Sequence, residues 1–145
     1  MATIVVDTDV LTAALLRGRG GAARGVMRAC LLGDYVPVLG PALLAEYEDV
    51  LGRDRLFAGS ALSPSERSEL FDAFLGSCRW IEVFFAWRPN LPDEGDNHLM
   101  ELAVAAQADA IVTRNVRHLS RGELRFPSIR LLRPDQCLKE FPCPP

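Results

Sequence analysis

The sequence predicts an α/β sandwich, a small and mainly parallel sheet covered by helices. Three observations carry this. Short apolar strands alternate with helical segments along the chain, the order that builds parallel sheets. The first strand candidate, "ATIVVD", is continuous and β-branched, as a strand buried on both faces is. At 145 residues, almost half of them apolar, the chain is long enough for one real core.

The elements follow in order. Residues 2–7 read as the buried strand, and 9–16, "DVLTAALL", as a helix broken by "RGRGG". Residues 22–32 form a second helix, ended by Gly33. "YVPVLG" is a short strand, and Pro37, which cannot donate to a ladder, marks an edge or a strand end. Gly40-Pro41 starts a helix whose apolar stripe is Leu43, Leu44, Tyr47, Val50 and Leu51. Ser63 and Glu66 form a capping box for a helix reaching about Cys78. "WIEVFF" is the next strand, and Trp80, Phe84 and Phe85 either fill the core or serve an interface. "RPNLPDEGDN" is a polar loop. Asp96 or Asn97 caps a helix to about Ala108, with Leu99, Met100, Ala103 and Ala106 inward. "AIVT" and "SIRLL" are strands, and "PDQCLKEF" is the last helix. The expected organisation is a single domain over 1–140 with a loose tail, 141–145.

Composition excludes several classes. No apolar run reaches eighteen residues, so no membrane span is expected, and the N-terminus carries no signal-peptide pattern. Cys30, Cys78, Cys137 and Cys143 are widely spaced, without C-x-x-C pairs, which points to reduced thiols in a cytoplasmic protein. A net charge of −3 argues against binding nucleic acid through a broad basic field. It does not exclude an acidic site that takes cations. Of the sixteen basic residues only Lys139 is a lysine.

The acids carry the chemistry. Asp7 ends the first strand, where open α/β sheets form ligand sites. Alone, Asp7 or Asp9 reads equally well as a helix cap. Glu46 and Glu48 lie at opposite borders of their helix's apolar stripe, and periodicity does not choose between them. Asp93, Glu94 and Asp96 place three acids in four positions before a helix, more than one cap needs. Thr113 and Asn115 are short polar groups at the end of the "AIVT" strand. Acids delivered by three segments to one sheet edge would repel one another without cations. Mg²⁺ or Mn²⁺ suits such oxygen-rich sites and serves phosphodiester hydrolysis.

Four stretches, "VVDTDVLTAALL", "PALLAEYEDVL", "PDEGDNHLMELAVAAQADAIVTRNVRHL" and "SIRLLRPDQCL", occur in an order that resembles the PIN-domain nucleases. The resemblance is strongest to the toxin components of bacterial toxin–antitoxin systems, the VapC-like ribonucleases. It implies a PIN-like α/β/α sandwich and a Mg²⁺- or Mn²⁺-dependent endoribonuclease. It also implies an RNA substrate, a cognate antitoxin partner and a homodimer. Residue by residue, it implies that Asp7, Glu46 and Asp96 are catalytic, and that Asp93 joins them in holding metal. It selects Glu46 over Glu48. Thr113, Asn115 and Asp9 would support the carboxylates, and Arg114, Arg17 and Arg19 would guide the phosphate backbone. The chain departs from the family pattern at Asn115, where an aspartate is frequent, and at Asp9.

Two other readings compete. A non-catalytic PIN-like module that binds RNA or protein would explain Asn115. A haloacid-dehalogenase-type phosphatase would use Asp7 as nucleophile and Asp9 as acid, but needs a lysine after a later strand, and Lys139 lies beyond the last one.

Overall fold

The computed structural model describes residues 1–16, 21–60, 62–82, 97–119 and 128–144. The apolar run after Met1 forms strand β1 (Ala2–Val6), in which Ile4 and Val5 are wholly buried. A strand without a wet face belongs inside a sheet covered on both sides. β1 accordingly lies at the centre of five strands in the order β3-β2-β1-β4-β5. The others are β2 (Tyr35–Leu39), β3 (Arg79–Trp80), β4 (Ala110–Val112) and β5 (Arg130–Leu132). Every pairing among the described residues is parallel.

Parallel neighbours require crossovers, and helices supply them. They are α1 (Thr8–Leu15), α2 (Gly21–Leu32), α3 (Pro41–Leu51), α4 (Pro64–Ser77), α5 (Asn97–Ala105), α6 (Val116–Leu119) and α7 (Pro134–Glu140). The helices flank the sheet in a PIN-like α/β/α arrangement.

Local signals account for several helix ends. Gly33, at φ +84°, terminates α2, and the Asp34 N–H returns to the Ala29 carbonyl at 2.8 Å. The Ser63–Glu66 capping box is present at the start of α4. α5 stops at Ala105, three residues before the expected Ala108, because Gln107 turns to φ +53° and the Ala108 N–H closes on the Ala103 carbonyl. No sequence signal announced the single turn α6.

Two expectations change. Pro37 sits in the middle of an interior strand, opposite Ile4 of β1, rather than at an edge or an end. It is tolerated because β3 pairs only with Val38 and Leu39, so the outer flank of β2 at Pro37 has no strand partner among the described residues. The "WIEVFF" strand begins earlier, at Arg79, and its paired part ends at Trp80. Trp80 is 48% exposed instead of filling the core, and Phe84 and Phe85 lie outside the described residues.

All four cysteines are free. Cys30 and Cys137 are buried and Cys143 is exposed. Burial pushes the Cys78 thiol up to about 12 and the Cys137 thiol up to about 11.

One core cluster contains buried residues of β1, β2, β4 and β5 and of the helices that cover them. Its largest fully buried side chain is Tyr47 of α3, which meets Phe71 and Phe74 edge-on at 6.2 and 5.9 Å. The Tyr47 hydroxyl donates to the Val6 carbonyl at the last residue of β1. This contact pins α3 to the strand end that precedes Asp7. Tyr47→Phe removes the donor while keeping the ring, so a loss of about 1–2 kcal/mol is expected in urea unfolding.

Candidate active site

β1 pairs with β2 on one side and β4 on the other, so the chain order reverses between β1 and β4. In open α/β sheets the crevice beyond the carboxyl ends at such a point is where ligands bind. Asp7 and Thr113 each follow one of these two strands. The Asp7 N–H closes on the Val112 carbonyl at 2.9 Å, and the Thr113 hydroxyl donates to Asp7 Oδ2 at 2.8 Å. Thr113 is fully buried, which fixes its hydroxyl.

Asp7 is also the N-cap of α1, with Oδ1 accepting the Thr8 N–H at 2.7 Å. Capping and site-building are therefore both done by the same carboxylate, one oxygen each. Glu46 arrives from α3 as a half-buried side chain. Its Oε1 accepts the Thr8 hydroxyl, and its Oε2 lies 2.9 Å from His98 Nε2 on α5. Thr8 thus stands between the two acids, giving its N–H to Asp7 and its O–H to Glu46. Glu48, the alternative left open by periodicity, is exposed.

Asp9 takes a different part. Both of its oxygens face the Arg114 N–H, at 3.3 and 3.2 Å, joining the first turn of α1 to the segment after β4. The Asn115 N–H donates to Thr113 Oγ1 at 3.0 Å, and Asn115 is exposed. Arg114 is exposed too, and with Arg133 it lines a cleft of about 390 Å³ that includes Pro134, Asp135 and the first residues of α2. Asp93, Asp96, Arg17 and Arg19 lie outside the described residues.

The two acids differ electrostatically. Burial, then the charge of Asp9 and to a lesser degree that of Glu46, push Asp7 up to about 6, against the opposing bonds from Thr113 and Thr8. Glu46 is held below the usual glutamate range, chiefly by the His98 hydrogen bond.

A family model described as a PIN domain matches residues 3–117. The chain belongs to the PIN-domain family. PIN domains are generally nucleases, which makes this chain a hydrolase at that coarse level, and they generally use divalent metals. No curated protein matches the chain. Two solved structures share its fold. One is VapBC2 from Rickettsia felis bound to a DNA fragment from their promoter, with a TM-score of 0.59 and 13% identity over 90% of this chain and 98% of that one. The other is FitAB bound to an IR36 DNA fragment, with a TM-score of 0.55 and 12% identity over 90% and 94%. No helix among the described residues is long and apolar enough to cross a membrane.

The PIN-domain site fits a hard divalent cation in its donor chemistry. Asp7 and Glu46 offer carboxylate oxygens, and Asp7, raised first by burial and then by the charge of Asp9, is a carboxylate whose ionised form a cation would favour. Among the described residues no group of three or more histidine, cysteine, aspartate or glutamate side chains is close enough to hold an ion. The acids that the sequence pattern adds, Asp93 and Asp96, belong to the stretch outside them.

Thr8 and His98 are site residues that the sequence expectations do not include. A signal was present: His98 precedes the inward pair Leu99–Met100 and lies one turn before the buried Leu102.

The raised Asp7 gives a pH-dependent prediction for the metal-free protein. The folded state holds the Asp7 proton more tightly than the unfolded chain, so Asp7 costs stability as pH rises from about 4 through about 6. Asp7→Asn keeps the cap and removes the charge. In chelator at pH 8 it is expected to unfold at higher urea than wild type, a gain on the order of 1–3 kcal/mol that fades at pH 4.

Proposed function

We propose that this PIN-domain protein is a Mg²⁺- or Mn²⁺-dependent endoribonuclease and the toxin of a type II toxin–antitoxin pair. The observation that carries this reading is the meeting of Asp7 and Glu46 around Thr8, at the switch point of the sheet, in a chain of this family. Asp7, Glu46, Asp93 and Asp96 would hold the metal. When bound, the ion supplies Lewis-acid charge to the phosphodiester and to the attacking water.

The chain's own groups do the rest. Thr113 and Thr8 fix the Asp7 oxygens, so the carboxylate meets its ligand already oriented. Glu46, kept ionised by its donors, orients the water or accepts its proton. Asp9 positions Arg114 through the backbone, and the exposed Arg114 side chain meets the phosphate backbone at the mouth of the 390 Å³ cleft. Arg17 and Arg19 are proposed to extend that contact. The antitoxin partner is supported by the fold shared with chains in the VapBC2 and FitAB structures. A homodimer and a cytoplasmic location complete the proposal.

One observation keeps a non-catalytic, partner-binding reading in view: Asn115 engages Thr113 through its backbone, with its side chain left exposed. The phosphatase reading has less support, since Asp9, its acid, faces the Arg114 N–H with both oxygens.

Cleavage of single-stranded RNA in Mg²⁺ or Mn²⁺ decides between them. Asp7→Asn, Glu46→Gln and Asp96→Asn are each expected to lose roughly 100-fold or more in rate. Equal rates in all four proteins would point to a contaminant. No cleavage by wild type under any metal would favour the binding module. Arg114→Ala should raise KM for RNA and leave kcat within a few-fold, read from initial rates over a range of RNA concentrations.

A further inference from the structure

Glu46 reaches the site from a helix border, and a glutamate there has three free torsions. Its Oε1 is held by Thr8, and among the described residues Oε2 is held by His98 Nε2 at 2.9 Å. The pair is 52 residues apart in sequence, and it bridges α3 to the second residue of α5. The imidazole side chain is only 17% exposed, while that of Glu46 is 35% exposed.

The other ring nitrogen completes the picture. His98 Nδ1 is buried without a hydrogen-bond partner. A buried N–H left unpaired costs about 1–3 kcal/mol, so the arrangement favours the tautomer with its hydrogen on Nε2. That hydrogen points at the Glu46 carboxylate. The unpaired nitrogen is also a cost the fold carries, and the bond to Glu46 is what the ring gains by being there.

We propose that His98 is a positioning residue: it donates from Nε2 to Glu46 Oε2 and so holds the second carboxylate in the orientation that faces a bound divalent cation. The inference rests on the metal-dependent nuclease reading for its activity arm and on metal affinity alone for its other arm. Outer partners of metal-binding carboxylates are typically worth about 10–100-fold in affinity or rate.

The test compares the full-length wild type with His98→Phe and His98→Gln, measuring Mn²⁺ affinity by calorimetry and steady-state cleavage of single-stranded RNA. Phenylalanine keeps the ring and removes the donor, whereas glutamine returns a donor at similar reach. His98→Phe is expected to lose about 10–100-fold in Mn²⁺ affinity and in kcat, with KM for RNA unchanged, and His98→Gln to recover most of both. The loss from His98→Phe is expected to vanish in a Glu46→Ala background, because the histidine acts through that carboxylate. Should His98→Phe not fold, His98→Asn, polar but one methylene short of glutamine, provides the same contrast. Wild-type Mn²⁺ affinity in the donor-less variant overturns the proposal, and so does an undiminished loss in the Glu46→Ala background. If wild type binds Mn²⁺ but cleaves no RNA, the ribonuclease reading fails while the Mn²⁺ affinities still decide the role of His98. If wild type binds no Mn²⁺, both fail.

Discussion

The pairing of β1 with β4 is the constraint on which the rest of the molecule depends. It places a largely buried, mainly apolar strand at the middle of the sheet and, among the described strands, creates the place where chain order reverses. Its last backbone bond, from Asp7 to Val112, also sets the position of the first acid. From there the order of causes is short. The end of β1 fixes Asp7, Asp7 caps α1, and Thr8 in the first turn of α1 presents a hydroxyl to Glu46. Tyr47, the neighbour of Glu46, holds α3 against the same strand end through its hydroxyl. Core packing and site geometry are thus controlled by adjacent residues of a single helix.

This adjacency explains why the acids are tolerated. A buried carboxylate without partners is costly, and Asp7 has two, a threonine hydroxyl and a backbone N–H, while burial, then Asp9 and Glu46, raise its proton affinity. The hydrogen bonds orient the group, and burial with the neighbouring charges disfavours its ionised form until a cation offsets them. Glu46 sits in the opposite condition, with donors from Thr8 and His98 that favour its ionised form. Two acids in one crevice are therefore shifted in opposite directions, Asp7 upward mainly by burial and Glu46 downward mainly by its bond to His98.

Much of this was legible in the sequence, and the reasons are physical. Asp7 was visible because a continuous β-branched run leaves few places for a strand to end. The ambiguity between Glu46 and Glu48 was real, since a helical wheel reports only the border of an apolar stripe. The family resemblance selects Glu46, and the structure gives that side chain a pair of partners, Thr8 of α1 and His98 of α5. His98 stayed hidden because its partner is far away in sequence and its face of α5 is defined by the sheet it packs on. Pro37 misled because a proline penalty depends on which flank of a strand is paired, and β3 turned out to be too short to reach it. Of the two places the sequence leaves open for Trp80, the core is excluded, because a two-residue edge strand covers little.

The bond between Thr113 and Asp7 spans 106 positions of the chain. Long-range parallel pairings form late, since the loop between the partners has to be closed before the contacts are gained. A growing chain on the ribosome therefore carries Asp7 long before it carries a β4 to dock against. The acidic crevice is consequently absent until both strands have been made. Synthesis order by itself keeps the emerging chain without its assembled centre until β4 is free to pair with β1.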